Sequence, residues 1–384
     1  MSLEQILAQN NSNIFLREFT FSNTKFKRVD GQEVELCDGA VWIDDLLILF
    51  QLKERNPKHD TSDSAEETRW FERKVEKNAV GQFADTLTYL ETEKQLPFVN
   101  HRGQRLNFAD AKATRIHLIA LFDHPSGLPI DLMSRKGRVS KRAGFVHYFQ
   151  LGNYETVCMY LHTPFEIAEY LDFRSDFVQR VPASHDVSEK AMFGKFLTDK
   201  DDDDEILHEH ELVADRLIDD RDEFNISRLM EVYYDRIESG NTGTQYHQIL
   251  KEMAKLTRNM CSQFRQRFEW AKERCRESKQ AKPSRFLPVK QDCGFVSIPI
   301  PDHMQDDWQA QLKVYTILCK YDFKCSKCIG YTMAVNLNNP DSYNVNWMYL
   351  EFEWQREEEL DSTLAEGSWF RDTRSELKGK YSLE

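Results

Sequence analysis

The sequence predicts an α/β protein whose first domain is a mixed β-sheet packed against helices. A helical segment and a small C-terminal α/β module follow it. Two observations favour this class. Short runs of β-forming residues alternate with longer stretches of helical periodicity in the first half of the chain. Hydrophobic residues make up 40% of the 384 residues, which is enough to build more than one buried core.

Apolar periodicity places the elements of the first domain in order. Trp70, Val75, Ala79 and Phe83 recur at helical spacing in the longest of them. The predicted elements are the helices Leu3–Asn10, Asn13–Glu18, Ser64–Lys94 and Thr163–Gln179, and the strands Phe19–Val29, Leu36–Ile43, Leu46–Lys53, Arg115–Asp123, Gly144–Gln150 and Glu155–Leu161.

Composition divides the chain into three parts. Residues 201–240 carry a net charge of −11, against −3 for residues 1–180, and their run of four Asp is typical of a solvated linker. We predict a first domain at 1–183, an acidic linker and helical region at 184–282, and a C-terminal module at 283–384. The elements predicted beyond the linker are the helices Thr244–Glu277 and Met304–Lys320 and the strands Cys293–Ile300, Ile329–Val335 and Val345–Trp354.

A β-hairpin is the most informative local feature. Its two strands lie on either side of the turn pair Asp44-Asp45. A two-residue turn places Asp38 directly opposite Gln51, with both side chains on one face. Lys53 lies diagonally across on the same face. The hairpin is otherwise apolar on both faces, so we expect it in the centre of a covered sheet, where an uncompensated charge is costly.

This pattern resembles the PD-(D/E)xK nuclease superfamily, whose members share the restriction-endonuclease-like fold. In that superfamily an Asp lies on one strand and an acidic-x-Lys triplet ends the next, which corresponds here to Asp38 and Gln51-Leu52-Lys53. The chain departs from the usual pattern in having Gln51 at the acidic position, as some members do, and Cys37 in place of the usual Pro. The predicted order of helix, three strands, helix and strand is that of the superfamily core.

The resemblance implies a metal-dependent endonuclease that hydrolyses phosphodiester bonds of DNA, or alternatively RNA, with Mg²⁺ or Mn²⁺ as cofactor. Asp38 would be the principal metal ligand, and Gln51 and the Leu52 carbonyl would supply neutral oxygens. Lys53 would orient or activate the attacking water and offset charge in the transition state. The alternative is a buried Asp38–Lys53 ion pair with Gln51 as its hydrogen-bonding partner.

Three more residues are candidates through the same resemblance. Glu18 would be the extra carboxylate that some members carry near the first helix. Lys77 and Gln82 would match polar positions on the helix after the hairpin, which face the site in relatives. The alternatives are a solvated Glu18 and a solvent-facing stripe through Lys77 and Gln82. We do not expect Glu35 to be a direct ligand, because strand alternation points it to the opposite face.

A basic run is the candidate nucleic-acid surface. It places Arg135, Lys136, Arg138, Lys141 and Arg142 within eight residues, a density that suits phosphate binding. A solubilising loop is the alternative. The net charge of −13 argues against a uniformly basic nucleic-acid binder, but most of the acidity falls outside the first domain.

The eight cysteines bear on compartment and metal content. Their spacing shows no disulfide framework, so we expect reduced thiols and a cytoplasmic protein. No apolar run approaches the roughly 20 residues that span a bilayer, and no signal peptide is apparent, so we expect no membrane partner. Cys325 and Cys328, with Cys319 and Cys293, invite a zinc site. A structural zinc site normally shows two close ligand pairs, so ordinary thiols are favoured.

The predicted function is therefore that of a nuclease, with bacterial defence or mobile-element processing suggested by analogy alone. The main alternative, favoured by Gln51, is a catalytically inactive nuclease-fold protein that acts as a nucleic-acid-binding or assembly scaffold. A third is a zinc-stabilised interaction protein built around Cys325 and Cys328. The C-terminal module is assigned to recruiting a protein partner or to regulation, and a homodimer is compatible with the sequence.

Overall fold

The computed structural model describes residues 2–22, 24–28, 31–56, 58, 63–124, 127–161, 163–181, 187–198, 208–219, 246–277, 279–288 and 291–371. The chain divides into two compact units, the first built from the described residues up to 219 and the second from those between 246 and 371. The run of four Asp from Asp201 and the start of the predicted helix Thr244–Glu277 lie outside the described residues.

The first unit is centred on a mixed six-stranded sheet, as predicted. Two two-stranded ribbons accompany it. Within the sheet the neighbouring strands Leu46–Glu54, Arg115–Asp123 and Gly144–Gln150 are parallel, and the other neighbouring pairs are antiparallel. The strands in spatial order are β1 (Thr20–Ser22), β4 (Gly39–Ile43), β5 (Leu46–Glu54), β8 (Arg115–Asp123), β10 (Gly144–Gln150) and β9 (Gly137–Ser140), and the ribbons pair β2 (Lys25–Lys27) with β3 (Glu33–Glu35) and β6 (Pro97–Val99) with β7 (Arg105–Asn107).

Helices cover both faces of this sheet. They begin at side-chain caps where the sequence supplies them: the Ser2 side chain accepts from the Gln5 N–H, and Thr163 accepts from the Glu166 N–H. The helices are α1 (Leu3–Phe15), α2 (Ser64–Phe71), a π-helical segment (Glu72–Ala79), α3 (Val80–Thr92), α4 (Ile130–Met133), α5 (Leu151–Tyr160), α6 (Pro164–Arg180), α7 (Glu189–Thr198) and α8 (His208–Asp219).

The front face of the sheet is the one under α2, the π segment and α3. Phe71, Val75, Ala79 and Phe83 from these helices join one buried cluster with sheet residues such as Leu49. Their spacing of four residues exceeds the 3.6 of an α-helix. A stretch of π-helix, whose turn is wider, keeps all four on the sheet side. The predicted helix Ser64–Lys94 is therefore continuous but locally underwound.

The back face is covered by α1 and α5. Phe50 of β5 packs edge-on against Tyr154 of α5, with ring centroids 5.6 Å apart. The Tyr154 hydroxyl donates to Oδ1 of Asn11 on α1 at 2.7 Å. A side chain at Gly39 would lie 3.1 Å from Cδ2 of Leu7, so α1 lies close to the start of β4.

The structure differs from the sequence predictions of secondary structure at several places in the first unit. Glu155–Leu161 was expected as a strand, but residues up to Tyr160 belong to α5 and Leu161 is its C-cap. The residues that α5 buries are Tyr154, Val157, Cys158 and Tyr160, and the first three are spaced as on one face of a helix rather than alternately. The two predicted N-terminal helices are one helix that ends at Phe15.

The second unit contains a four-stranded sheet between helices; the small C-terminal sheet module is as predicted, with β11 as a strand that the sequence analysis did not predict. The predicted helix Thr244–Glu277 is interrupted between Ala254 and Arg258. The aromatic residues of the sheet serve as core: Trp347 stacks on Phe264, with centroids 6.2 Å apart. The elements are α9 (His247–Ala254), α10 (Arg258–Arg274), β11 (Ser284–Phe286), β12 (Cys293–Pro299), α11 (Trp308–Phe323), β13 (Lys327–Val335), β14 (Tyr343–Glu351) and α12 (Glu358–Ala365), with 3₁₀ turns at Arg17–Phe19, Phe108–Asp110 and Asp302–Asp307.

A buried ionic network ties α7 to the first unit, beyond the predicted boundary at residue 183. Arg174 of α6 donates to Glu189 of α7 at 2.7 and 3.1 Å, and Nζ of Lys136 lies 3.4 Å from the same carboxylate. Burial raises the pKa of Glu189, but the two cations outweigh burial and hold the pKa at about 2.

We expect Glu189→Gln to lower the free energy of unfolding by about 3–5 kcal/mol, because it leaves two buried cations uncompensated. Urea unfolding at pH 7 measures this. The native pKa is depressed, so the contribution is present above pH 4.5 and is lost as the pH falls towards 2. Asp215→Asn, which breaks an exposed pair with Lys190, is the control and should cost less than about 1 kcal/mol. Equal losses in the two variants would contradict the argument.

Candidate active site

The structure confirms the predicted register of the hairpin. β4 and β5 pair antiparallel around the turn Asp44-Asp45. Asp44 has a φ of 54°, a left-handed conformation that Asp tolerates better than most residues. The Asp38 N–H donates to the Phe50 carbonyl at 3.1 Å. Because Gly39 is the register partner of Phe50, Asp38 and Gly39 together face Phe50 as in a β-bulge, so the regular pairing ends at Gly39 and Asp38 is not directly opposite Gln51.

The Asp38 side chain closes the end of this ladder. The next main-chain pair would join Cys37 to Leu52, but the Cys37 N–H donates to Oγ1 of Thr24 at 3.0 Å. The Leu52 N–H donates instead to Oδ2 of Asp38 at 2.6 Å. In an extended strand the N–H and C=O of one residue point to the same side. The Leu52 carbonyl therefore points to the side on which Asp38 lies.

Gln51 and Lys53 are held together on the front face of β5. Gln51 is only 3% exposed, and its Oε1 accepts from Nζ of Lys53 at 3.3 Å. Burial lowers the pKa of Lys53; the Asp38 carboxylate opposes this, and the like charge of Lys74 on the π segment adds to it. The amine of Lys53 therefore loses its proton more readily than that of a free lysine.

Glu35 lies within electrostatic range of this trio, although alternation assigned it to the back of the sheet. The chain bends at Leu36 and again at Asp38. The consecutive residues Leu36 and Cys37 both join the front-face core, which regular alternation forbids. Burial raises the pKa of Glu35, and the charges of Asp38 and Glu4 raise it further, whereas Lys25 and, more weakly, Lys53 act in the opposite sense.

Glu18 lies apart from the trio. β1 pairs with β4 so that Thr20 is opposite Val41, which places Glu18 beyond the turn end of β4, whereas Asp38 precedes the other end. Glu18 is 1% exposed, and its Oε1 accepts from Nε of Arg102 at 2.9 Å. It therefore serves in a buried ion pair, and the structure does not bring it to the candidate site.

Lys77 and Gln82 are both exposed, on the π segment and on α3. Among the contacts of the described residues, neither side chain is hydrogen-bonded or ion-paired to the trio. Lys74, three residues before Lys77, is the cation of this helix that acts on Lys53. Sequence spacing based on a regular α-helix missed Lys74 because the underwound turn changes which side chains face the sheet.

The basic run divides into buried and exposed cations. Lys136 is 3% exposed and faces Glu189, so its assignment to a nucleic-acid surface is wrong. Arg135 is ion-paired to Glu76 of the π segment. Arg138, Lys141 and Arg142 are exposed on the β9–β10 hairpin; Arg142 has a long contact of 3.4 Å to Asp85. These three remain as the candidate phosphate contacts.

A buried charged network next to Lys53 escaped sequence reasoning. Arg55 donates to both carboxylate oxygens of Glu67, at 2.6 and 3.0 Å, and Nε2 of His124 lies 2.5 Å from the same group. The hydrogen bond from Arg55 outweighs burial and lowers the pKa of Glu67. Arg55 and His124 each follow a parallel strand directly, so the network fixes α2 to the carboxyl ends of β5 and β8. The sequence did carry a signal for this network, because a polar residue, Arg55 or His124, directly follows each of the two apolar strands.

The oxygens at the end of β5 suit a hard divalent cation. They come from the Asp38 carboxylate, the Gln51 amide and the Leu52 carbonyl, the donor types that Mg²⁺ and Mn²⁺ accept. Among the described residues no hydrogen bond reaches Oδ1 of Asp38. The part of the chain that the structure describes holds no group of three His, Cys, Asp or Glu side chains arranged for a metal. All eight cysteines are free and buried, which gives the zinc alternative no support.

None of the helices in the described ranges combines the length and the apolar character that a membrane crossing requires. Comparison of the chain with protein-family models, with curated proteins and with solved structures finds no match. The functional argument therefore depends on the geometry of the site.

We expect Lys53→Met to raise the free energy of unfolding at pH 7 slightly, because the folded state no longer holds a desolvated ammonium. The pKa of Lys53 is lower in the folded than in the unfolded chain, so protonation favours unfolding and the stability of the wild type rises with pH towards 10.5. Urea unfolding at pH 7 and pH 10 measures both effects. The exposed Lys77→Met is the control; a stability loss confined to Lys53→Met would refute this account.

Proposed function

We propose that the first unit is a metal-dependent phosphodiesterase that cleaves DNA. The observation that carries the proposal is the convergence of Asp38, Gln51 and Lys53 at the carboxyl end of β5. One carboxylate, one neutral oxygen donor and one lysine with a lowered pKa suit a divalent cation held against a phosphodiester. The resemblance to PD-(D/E)xK nucleases in Asp38 and the triplet Gln51-Leu52-Lys53 supports the same conclusion.

Asp38 would hold Mg²⁺ or Mn²⁺ together with the Gln51 and Leu52 oxygens, and the bound ion would polarise the phosphate and an attacking water. Lys53 is placed by its hydrogen bond to Gln51, and its lowered pKa favours acceptance of a proton from that water. Lys74 adds a second positive charge near Lys53, which favours a phosphate group at this end of the sheet.

The biological setting is proposed by analogy. Bacterial defence or mobile-element processing follows only from the resemblance, and the second unit would then recruit a protein partner or regulate cleavage. RNA offers the same phosphodiester chemistry, so it belongs beside DNA in any test.

A non-catalytic scaffold that binds nucleic acid is the second candidate function. Two observations favour it. Gln51 brings no negative charge to the metal, and Oδ2 of Asp38 already accepts a hydrogen bond from Leu52. A protein that had lost catalysis would keep this bond, because it closes the ladder at the end of β4.

We expect purified protein to nick or linearise supercoiled plasmid DNA with Mg²⁺ or Mn²⁺ and to lose at least ~100-fold in rate in Asp38→Asn and in Lys53→Met, because each loses a group that acts on the transition state. Glu54→Gln, an exposed change on the same strand, should keep the wild-type rate. Cleavage is followed on agarose gels, with a matched RNA in parallel. Equal cleavage by wild type and both site variants would defeat the enzyme proposal, and binding without cleavage would favour the scaffold.

We expect the triple change of Arg138, Lys141 and Arg142 to Gln to weaken duplex binding. Log affinity falls as log salt rises, with a slope of about −0.9 for each phosphate contact. Losing three contacts should therefore make this slope shallower by about 2–3. Binding is measured by fluorescence anisotropy in Ca²⁺ at several salt concentrations. A triple change at the exposed Lys27, Lys94 and Arg180 removes the same charge elsewhere; an equal effect there would show a general charge effect instead of a binding surface.

A further inference from the structure

The sheet of the second unit ends on one side in the long strand β14. This strand pairs with β13 along its whole length, from Tyr343 to Glu351. Every residue of β14 is at least partly exposed, whereas every residue of β12, inside the same sheet, is buried. The sequence of β14 contains no Lys, Arg or Pro, the residues with which natural proteins commonly protect an exposed edge.

The hydrogen bonds at the two ends of β14 show which of its main-chain groups point to β13. The Ser342 carbonyl accepts from the Asn336 N–H, and the Phe352 N–H donates to the Ser326 carbonyl, both at 3.0 Å. In an antiparallel strand the N–H and C=O of one residue point to the same side, and that side alternates along the strand. The even-numbered residues therefore bond to β13, and the odd-numbered residues direct their groups outwards.

The outward groups are available to a partner strand. Among the described residues, no hydrogen bond reaches the main chain of Tyr343, Val345, Tyr349 or Glu351. Main-chain groups of this kind must be satisfied by water or by another chain. An extended segment that added itself to this edge would satisfy them in the way that strand-addition complexes do.

The other sheet edges in the described ranges are short or covered. β1 has three residues, and Phe21 on it forms a bridge with Asn100. β9 has four residues and carries Arg138, and β11 has three and carries Arg285. Short strands and charged side chains are devices that prevent pairing with other chains. β14 lacks both devices along its length, which indicates that its edge is used.

Opposite charges lie at the two ends of β14. At the first residue, Nε of Arg276 donates to the Tyr343 hydroxyl at 3.0 Å, and Nζ of Lys272 on α10 lies 5.6 Å from the centroid of the same ring. The last residue is Glu351, whose side chain is 53% exposed. Tyr343 and Glu351 are an even number of residues apart, so their side chains lie on one face of the sheet.

This arrangement matches a second copy of the same strand. In an antiparallel pair of two β14 strands, Glu351 of each copy lies beside Tyr343 of the other, next to its two cations. A parallel pair would instead place Glu351 against Glu351. The strand is therefore complementary to itself in one orientation, as an isologous two-fold contact requires.

We propose that two copies of this chain form a dimer through antiparallel pairing of their β14 strands, about a two-fold axis at Trp347. Tyr343 of one copy then faces Glu351 of the other, and Val345 faces Tyr349, so the outward N–H and C=O groups of these residues are hydrogen-bonded. The two sheets become one continuous sheet. The dimer does not depend on the proposed nuclease activity.

Sedimentation of the full-length protein over a range of concentrations tests the edge. We expect the wild type to sediment with twice the mass of one chain and Val345→Pro to sediment as a monomer. The Val345 N–H points outwards, so Pro removes no bond to β13, and an edge strand tolerates Pro at such a position. Far-UV circular dichroism shows that the variant is folded. A wild type that is monomeric at every concentration, or a dimer that survives in folded Val345→Pro, would overturn the proposal.

A charge exchange tests the register without a backbone change. Glu351→Lys sets like charges against Arg276 and Lys272 of the other copy, so we expect it to weaken the dimer by about 10-fold or more. Arg276→Glu added to Glu351→Lys should recover most of this loss, because opposite charges then face each other again. Glu366→Lys makes the same charge change at an exposed position and should leave the dimer as strong as in the wild type. Equal weakening by the two Lys variants, or no recovery in the double variant, would refute this pairing.

Discussion

The candidate site depends on the hydrogen bond between the Leu52 N–H and the Asp38 carboxylate. β5 is longer than β4, so its last residues have no main-chain partner on that side once Cys37 has turned to Thr24. Asp38 satisfies the orphaned N–H and is thereby fixed beside Gln51 and Lys53. An unpaired strand end in a covered sheet would be costly. The same bond thus stabilises the sheet and positions the carboxylate.

Burial then determines the chemistry available at this position. The front face lies under a helix that widens into a π segment, so Lys74 comes near Lys53 while four apolar side chains stay on the sheet. Desolvation and a like charge favour the neutral amine of Lys53. The ionic network of Arg55, Glu67 and His124 holds the same helix to the strand ends. The polar site is therefore held in the apolar sheet from two directions: the ionic network fixes the covering helix, and the Leu52–Asp38 hydrogen bond fixes the strand.

The register of the hairpin could be predicted because it depends on local rules. Two apolar strands and a two-residue Asp-Asp turn leave one pairing, and the structure keeps it from Gly39 with Phe50 to Ile43 with Leu46. The role of Lys136 could not be predicted, because its partner Glu189 lies 53 positions further along the chain. Strand alternation could not place Glu35 relative to Asp38, because alternation holds only within an unbroken strand and the chain bends at Leu36 and Asp38. Helical spacing likewise missed Lys74, since the π segment departs from 3.6 residues per turn.

The sequence by itself determined the α/β class, the mixed sheet and the register of β4 against β5. These follow from periodicity and turn chemistry, which act between near neighbours in the chain. Only the tertiary structure decided which cations are buried, which helix covers the site, and which further charges reach it. Those outcomes depend on contacts between residues far apart in sequence, where burial and Coulomb interactions set the pKa of Lys53 and the surroundings of Asp38.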